Sequence, residues 1–438
     1  MAVSARSLRS ALADIVGAEH VLDSPAALAP CAVDGIAPRW IVRPNRVEEA
    51  SRILALASAE GLAVAPRGSG SRTALGNAPS RLDLVLDLTS LAAILDYVPE
   101  DMVATVQCGI TQAALGRRLA EEGQRLALDP LGGKERTVGG VLATNASGPL
   151  RFRYGTGRDL LLGIRFVQAD GTITWGGSKV VKSVSGYDVP KLMVGSLGTV
   201  GVMLEATLRL HPLPAATGTV VAASESPAAL QDTLAAILDS SLEPDRLTLL
   251  NARARPGAGG PPSGPALLIS FGSVDEAVKS QGEAVIRLAQ KSGSAAQWAP
   301  STIWDDLGRE PGGPEPVSLT LACEIRRVGH WLGELERLAR ALDASVSVIG
   351  EAGNGVLRAW LSGPAEGRPI VSEFVTPLSR GLEAERGSLV IERMPPPLKR
   401  DLDVWGPVPA DVMALMRRIK QEFDPRGILN PGRFVGGL

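Results

Sequence analysis

Between residues 47 and 60, apolar side chains recur at Val47, Ala50, Ile53, Leu54 and Ala57. That spacing places them on one helical face, and Gly61 offers a left-handed stop. Short apolar runs at 62–65, 85–88 and 103–107 predict strands. Thr111 can cap a helix that carries Leu115 and Leu119 and stops at Gly123. Residues 164–167 and 172–175 flank Asp170-Gly171, a hairpin signal. A strand at 203–210 is closed by Pro212 and Pro214. The first half is therefore mixed α and β. From 215 to about 385, Ala, Leu and Arg predict a more helical region, with Gly- and Pro-dense loops at 255–265 and 308–316. The tail carries Pro395-Pro396-Pro397, an amphipathic helix near 412–423, and Pro425 and Pro431.

Composition narrows the function classes. A chain of 438 residues can bury a large core, and its length alone suggests about three domains. The formal net charge is −2 with no long basic run, which disfavours nucleic acid and a polybasic membrane surface as partners. Cys31, Cys108 and Cys323 lie far apart with no CxxC, so a disulfide framework and a four-cysteine metal or iron–sulfur site within the chain are excluded. Three histidines (His20, His211 and His330) are few for a histidine-rich metal site. No apolar run approaches the roughly 18–20 residues of a membrane span, and residues 1–14 lack an apolar signal-peptide core. A cytoplasmic location follows. Aromatics are 4% while Gly numbers 49, a bias that suits an enzyme binding its ligand with backbone amides.

Three Gly-rich elements carry candidate chemistry. Pro66-Arg67-Gly68-Ser69-Gly70-Ser71 follows a predicted strand, and its amides can converge on an anion such as a diphosphate. Taken alone it is equally a plain turn, and it is not a Rossmann fingerprint, because the sixth position is Thr73 and no clear helix opens there. The second element holds Asp129, Pro130, Gly132 and Gly133, then Thr137 and Gly140, then Asn145 and Ser147. Tight sheet packing would explain its glycines but not its polar side chains. The third is Gly186-Tyr187-Asp188 followed by Gly195, Gly198, Gly201 and Val202, leading into a strand. Each is weak alone; their order and spacing are strong.

With these motifs in place, residues from about 40 to 214 resemble the FAD-binding domain of the vanillyl-alcohol oxidase superfamily, the PCMH-type fold. Asn430-Pro431-Gly432-Arg433-Phe434 resembles that family's C-terminal signature. The runs 178–188, 388–390 and 404–406 are most similar to the glycolate oxidase E-subunit type. The resemblance implies an α+β fold with a two-subdomain FAD domain at 40–214. An N-terminal helical segment at 1–39 precedes it. An α+β cap at 215–393 and a C-terminal return segment at 394–438 follow. It also implies that Pro66 to Ser71 line the FAD diphosphate. Asp129, Pro130, Gly132, Gly133, Thr137, Gly140, Asn145 and Ser147 would line the flavin and ribityl chain. Gly198, Gly201, Val202 and Asn430 complete the FAD set. The first Gly-rich loop has no His or Cys, so FAD is expected to be non-covalent.

One departure bears on catalysis. Metal-dependent 2-hydroxy-acid dehydrogenases of the family carry cap histidines. The corresponding stretch here has Glu351 and Arg358, and the later element has Glu392-Arg393. No metal is therefore expected. Arg358, Arg393 and Lys182 are weak candidates to hold a substrate anion, and the catalytic base is unassigned. His211 at a strand boundary and His330 on a cap helix have plainer structural readings. The expected role is an FAD-binding subunit of a glycolate oxidase-like complex, beside a catalytic flavoprotein and an iron–sulfur subunit, with membrane association only through those partners. A self-sufficient metal-free dehydrogenase and a non-catalytic assembly subunit are the alternatives.

Overall fold

The computed structural model describes residues 5–178, 187–254, 264–300, 302–307, 317–363, 369–399 and 402–438. The helix at Val47–Glu60 buries Val47, Ala50, Ile53, Leu54 and Ala57, and ends on Gly61 at φ 67°. The strand expected at 62–65 forms two residues later, as Val64–Arg67. It joins a four-stranded sheet with Val21–Leu22, Trp40–Val42 and Leu84–Asp87, in which Trp40–Val42, Leu84–Asp87 and Val64–Arg67 run parallel and Val21–Leu22 runs antiparallel to Trp40–Val42. This sheet packs on the helices Ala5–Val16 and Val47–Glu60 through Leu12, Ile53, Leu54, Val64 and Leu84.

A second, five-stranded antiparallel sheet holds Ile94–Val98, Val103–Gln107, Leu161–Val167, Ile173–Gly177 and Val202–Arg209. Its hairpin turns at Asp170-Gly171, where the Thr172 amide donates to Asp170 Oδ1 at 2.8 Å and Gly171 has φ 91°. Thr111 caps the helix Gln112–Ala120 by accepting from the Ala114 amide. Thr137 caps Val138–Ala143 in the same way, through the Gly140 amide.

The region beyond residue 215 is more strand-rich than its Ala and Leu content predicts. Eight antiparallel strands form its sheet, in the order Ala295–Trp298, Ala216–Ala223, Ala266–Ser273, Arg246–Leu250, Ser345–Glu351, Val356–Ser362, Val317–Ala322, Ser388–Arg393. Helices Pro227–Leu238, Asp275–Lys291, Val328–Ala341 and Thr376–Ala384 cover one face. Val, Leu and Ile alternate along these strands, and the inward positions fill that core. The two Gly- and Pro-dense loops fall largely outside the described residues.

The opposite sheet face meets the second Gly-rich element. Leu131 packs there with Leu250, Leu268, Ile349 and Trp360. The tail helix Ala410–Phe423 is followed by a return strand contact. The Val64 amide donates to the Ile428 carbonyl and the Asn430 amide to the Val64 carbonyl. Asp424, 2% exposed, accepts from the Ile428 and Leu429 amides and from Lys420. Among the described residues, no helix is long and apolar enough to cross a membrane.

Candidate functional site

A cleft runs between the two small sheets. It encloses about 1040 Å³ of space between protein atoms, part of it open to solvent. Pro66, Arg67, Gly68, Ser69, Gly70 and Ser71 lie on its wall, as do Thr137, Gly140, Gly198, Gly201, Val202 and Asn430. The structure thus brings the first and third Gly-rich elements, part of the second, and the tail to one space. A Cβ on Gly68 would stand 2.0 Å from Thr137 Oγ1, so only glycine lets the turn meet the capped helix. Gly70 has φ 76° and leaves room for the Arg67 guanidinium, which a Cβ would approach to 2.4 Å. Asn430, with φ 43°, donates from its side chain to the Leu197 carbonyl at 2.6 Å and ties the tail to the third element.

The remaining second-element residues stand off this wall. Asp129 Oδ2 pairs with Arg246 Nε at 3.0 Å, and its Oδ1 accepts from the Leu150 amide. Burial pushes its pKa up, against the opposing pull of Arg246. Pro130 is buried, whereas Gly132 and Asn145 are exposed and Gly133 is half-buried. Ser147 is 2% exposed and its Oγ has no hydrogen-bond partner.

Several further groups on the wall were not among the expected FAD contacts. Arg136, Arg433 and Arg72 line it, with Cys31 and Cys108. Arg433 donates to the carbonyls of Thr73 and Leu75, and burial lowers its pKa to about 10. The Cys31 sulfur accepts from Arg67. Burial pushes the Cys108 thiol up, which leaves it protonated and a poor nucleophile. Glycine spacing announced the backbone of the cleft; Arg72 follows the first Gly-rich element and Arg433 lies in the tail signature, but nothing local marked either side chain as reaching the wall.

The wall fits a dinucleotide. Arg67 Nε and Arg433 Nε are buried donors without hydrogen-bond partners, and a diphosphate offers acceptor oxygens with two negative charges. Pro66 to Ser71 form the glycine turn beside them.

The candidate anion-holding residues separate. Arg358, 5% exposed, pairs with Glu351, 2% exposed, on adjacent strands. Burial opposes its charge, but Glu351, Glu392 and Asp129 outweigh it and raise its pKa. Glu392 pairs with Arg72 and accepts from Thr320 Oγ1 at 2.7 Å. Burial works to raise its pKa, and Arg72 and Arg358 hold it below the usual range. Arg393 is exposed, on the rim of a shallow groove with Asp34 and Ser71. Lys182 lies outside the described residues.

The histidines sit elsewhere. His211 packs edge-on to Tyr154 at 4.7 Å, and burial, with Arg209 and Arg125, lowers its pKa to about 4. His330 lies on the helix Val328–Ala341 against Trp331.

A cleft of this kind between two sheets, closed by a tail and faced by a large antiparallel cap sheet, is the architecture of the PCMH-type fold. Known proteins agree. A model of the FAD binding domain matches residues 38–177, and one of the C-terminal domain of FAD linked oxidases matches residues 408–434. Two solved structures share the fold. Alkyldihydroxyacetonephosphate synthase superposes with a TM-score of 0.78 at 18% identity, covering 98% of this chain and 86% of that one. p-Cresol methylhydroxylase superposes with a TM-score of 0.74 at 16% identity, covering 98% and 96%.

The glycolate oxidase subunit GlcD of Bacillus subtilis is 29% identical over 428 residues, 90% of this chain and 88% of its own length. The D-lactate dehydrogenase of Archaeoglobus fulgidus is 28% identical over 443 residues, 95% of each chain. The D-2-hydroxyglutarate dehydrogenase of Xanthomonas citri pv. viticola is 28% identical over 423 residues, 90% of this chain and 89% of its own. The chain thus carries matches to an FAD binding domain and to the C-terminal domain of FAD linked oxidases, and is similar over most of its length to an FAD-linked glycolate oxidase subunit and to D-lactate and D-2-hydroxyglutarate dehydrogenases.

Proposed function

We propose that this chain is the FAD-binding subunit of a glycolate oxidase-like 2-hydroxy-acid dehydrogenase. Its partners are a catalytic flavoprotein and an iron–sulfur subunit, and it works in the cytoplasm, reaching a membrane only through them. The carrying observation is the buried Glu351–Arg358 pair. It occupies the positions that, by the sequence resemblance, hold histidine in metal-dependent members of the family. A fixed guanidinium there disfavours a second cation, because like charges in a buried site repel strongly. Three scattered cysteines also support placing any iron–sulfur cluster on another chain.

FAD supplies acceptance of two electrons from a CH–OH group. The protein's part is binding and positioning. Pro66 to Ser71, Thr137, Gly140, Gly198, Gly201, Val202 and Asn430 hold the dinucleotide, with Arg67 and Arg433 as charged donors. Asp129, Pro130, Gly132, Gly133, Asn145 and Ser147 are assigned to the flavin end. The cofactor is non-covalent.

Affinity purification from the native host tests the subunit reading. The expected result is co-purification of a second flavoprotein and an iron–sulfur protein, with no flavin bleaching by glycolate in the isolated chain. A single purified species whose flavin is bleached by glycolate contradicts it. That outcome is the second reading, a self-sufficient metal-free dehydrogenase. The unpartnered polar atoms beside Glu351 and Arg358 favour it.

A further inference from the structure

The two end strands of the eight-stranded cap sheet are built differently. Ser388–Arg393 is covered, irregular and charged. The Ile391 amide donates to the Val404 carbonyl, a register shift interrupts the pairing at Ser318, and Glu392 and Arg393 carry charge. Cover, bulges and charge are devices that keep a sheet edge from pairing with another chain. The other end strand, Ala295–Trp298, has none of them. Its pairing with Ala216–Ala223 is regular, and it carries no charge and no proline. Among the described residues, no strand lies on its far side.

Register fixes what that edge presents. The Ala299 amide donates to the Thr219 carbonyl at 2.8 Å, so alternation turns the backbone groups of Gln297 and Ala295 towards Ala216–Ala223 as well. The N–H and C=O groups of Ala296 and Trp298 therefore point outward. Their side chains lie on the helix-covered face. Ala296 packs on that core. The Trp298 ring lies against Gly282 of the helix Asp275–Lys291 and against Gly218, where a Cβ would stand 2.1 and 2.8 Å from it. Trp298 still remains 40% exposed. Gln297 is exposed and projects from the other face.

We propose that this edge pairs with the same edge of a second copy of the chain, antiparallel about a two-fold axis perpendicular to the sheet. The edge is complementary to itself. With the axis at Gln297, Ala296 of each copy stands opposite Trp298 of the other, and both exchange their outward N–H and C=O groups. A methyl side chain then faces the indole and leaves room for it. Charge agrees. The helix Asp275–Lys291 lies over this edge and carries three acids (Asp275, Glu276, Glu283) and three bases (Lys279, Arg287, Lys291), so it brings no net charge to the contact. Its first turn is acidic and its last turn is basic. The two helices run antiparallel on one face of the joined sheet, and the acidic end of each lies towards the basic end of the other. A two-fold contact of this kind is closed, so assembly stops at the dimer. The inference is independent of the substrate and subunit readings.

Analytical ultracentrifugation of the purified full chain, with FAD in excess, tests it. The expected species at micromolar concentration has twice the chain mass. Ala296→Pro removes an outward N–H, keeps the pairing to Ala216–Ala223, and is expected to weaken the dimer about tenfold or more. Gln297→Lys and Gln297→Glu each set like charges opposite one another across the axis, and each is expected to weaken it severalfold. Mixing those two variants is expected to restore the dimer, which a defect in folding would not do. FAD uptake by every variant reports an intact fold. A parent that sediments as a single chain overturns the inference. So does a dimer that Ala296→Pro leaves as tight as before, or a Lys and Glu mixture that associates no better than either variant alone. A pure chain that is monomeric, but whose Ala296→Pro variant loses a co-purified protein, assigns the edge to a different partner and also overturns it.

Discussion

The FAD cleft and the row of charged side chains on the cap sheet are built from opposite materials. The cleft is formed chiefly by glycine turns and backbone, with Arg67 and Arg433 as isolated charged donors. The row is formed by side-chain charges, with Arg358 held among Glu351, Glu392 and Asp129. A backbone-lined site depends on the absence of side-chain atoms. A charge-lined site depends on the balance of its members. They should therefore fail differently.

The largest expected effect is in the row. Arg358→Ala leaves Glu351 and Glu392 in a buried seam without their shared cation. Breaking a buried pair from one side costs about 3–5 kcal/mol. Chemical denaturation should register that loss of stability. A change below about 1 kcal/mol would mean that water already screens the row.

The cleft should respond through affinity. Gly68→Ala puts a methyl 2.0 Å from Thr137 Oγ1. Overpacking of about 1–3 kcal/mol, if borne by the bound state, corresponds to a fall of about fivefold to 140-fold in FAD affinity. Fluorescence titration with FAD checks it. Thr111→Ala removes a helix cap whose side chain does not line the cleft, while its backbone bridge to Thr137 is kept. It should cost about 1 kcal/mol of stability and leave FAD affinity unchanged.

Acid sharpens the contrast least strongly. His211 is lowered from 6.5 to about 4 in the folded protein. The unfolded chain therefore binds its proton first, and stability should decline as pH falls from about 6.5 towards 4. Glu392 is also lowered. Its contribution is present above the unfolded carboxylate value and is lost as pH falls through its lower folded value. Thermal melts against pH should show both, and His211→Phe should remove only the first.

The same difference in materials explains what could be read from sequence. Local rules found the Val47–Glu60 helix, the Asp170-Gly171 hairpin and the Thr111 cap, because each is decided by neighbours in the chain. Glycine spacing likewise located Gly68, Gly70, Gly198 and Gly201 on one wall. The eight-stranded cap sheet was hidden, because Ala and Leu also favour helices and its strands pair across long separations. Arg358 was noticed as a free anion holder, but strand register puts it in a buried ion pair with Glu351. Arg433 reaches the cleft because the tail returns to Val64, a contact spanning most of the chain.

The most direct test of the account is acid precipitation of the purified holoprotein, followed by absorption spectra of both fractions. The account predicts a yellow protein whose FAD passes entirely into the supernatant, because the proposed contacts are backbone amides and arginines, without a covalent bond. A protein that is colourless and takes up no added FAD, or flavin that stays in the pellet, would contradict it.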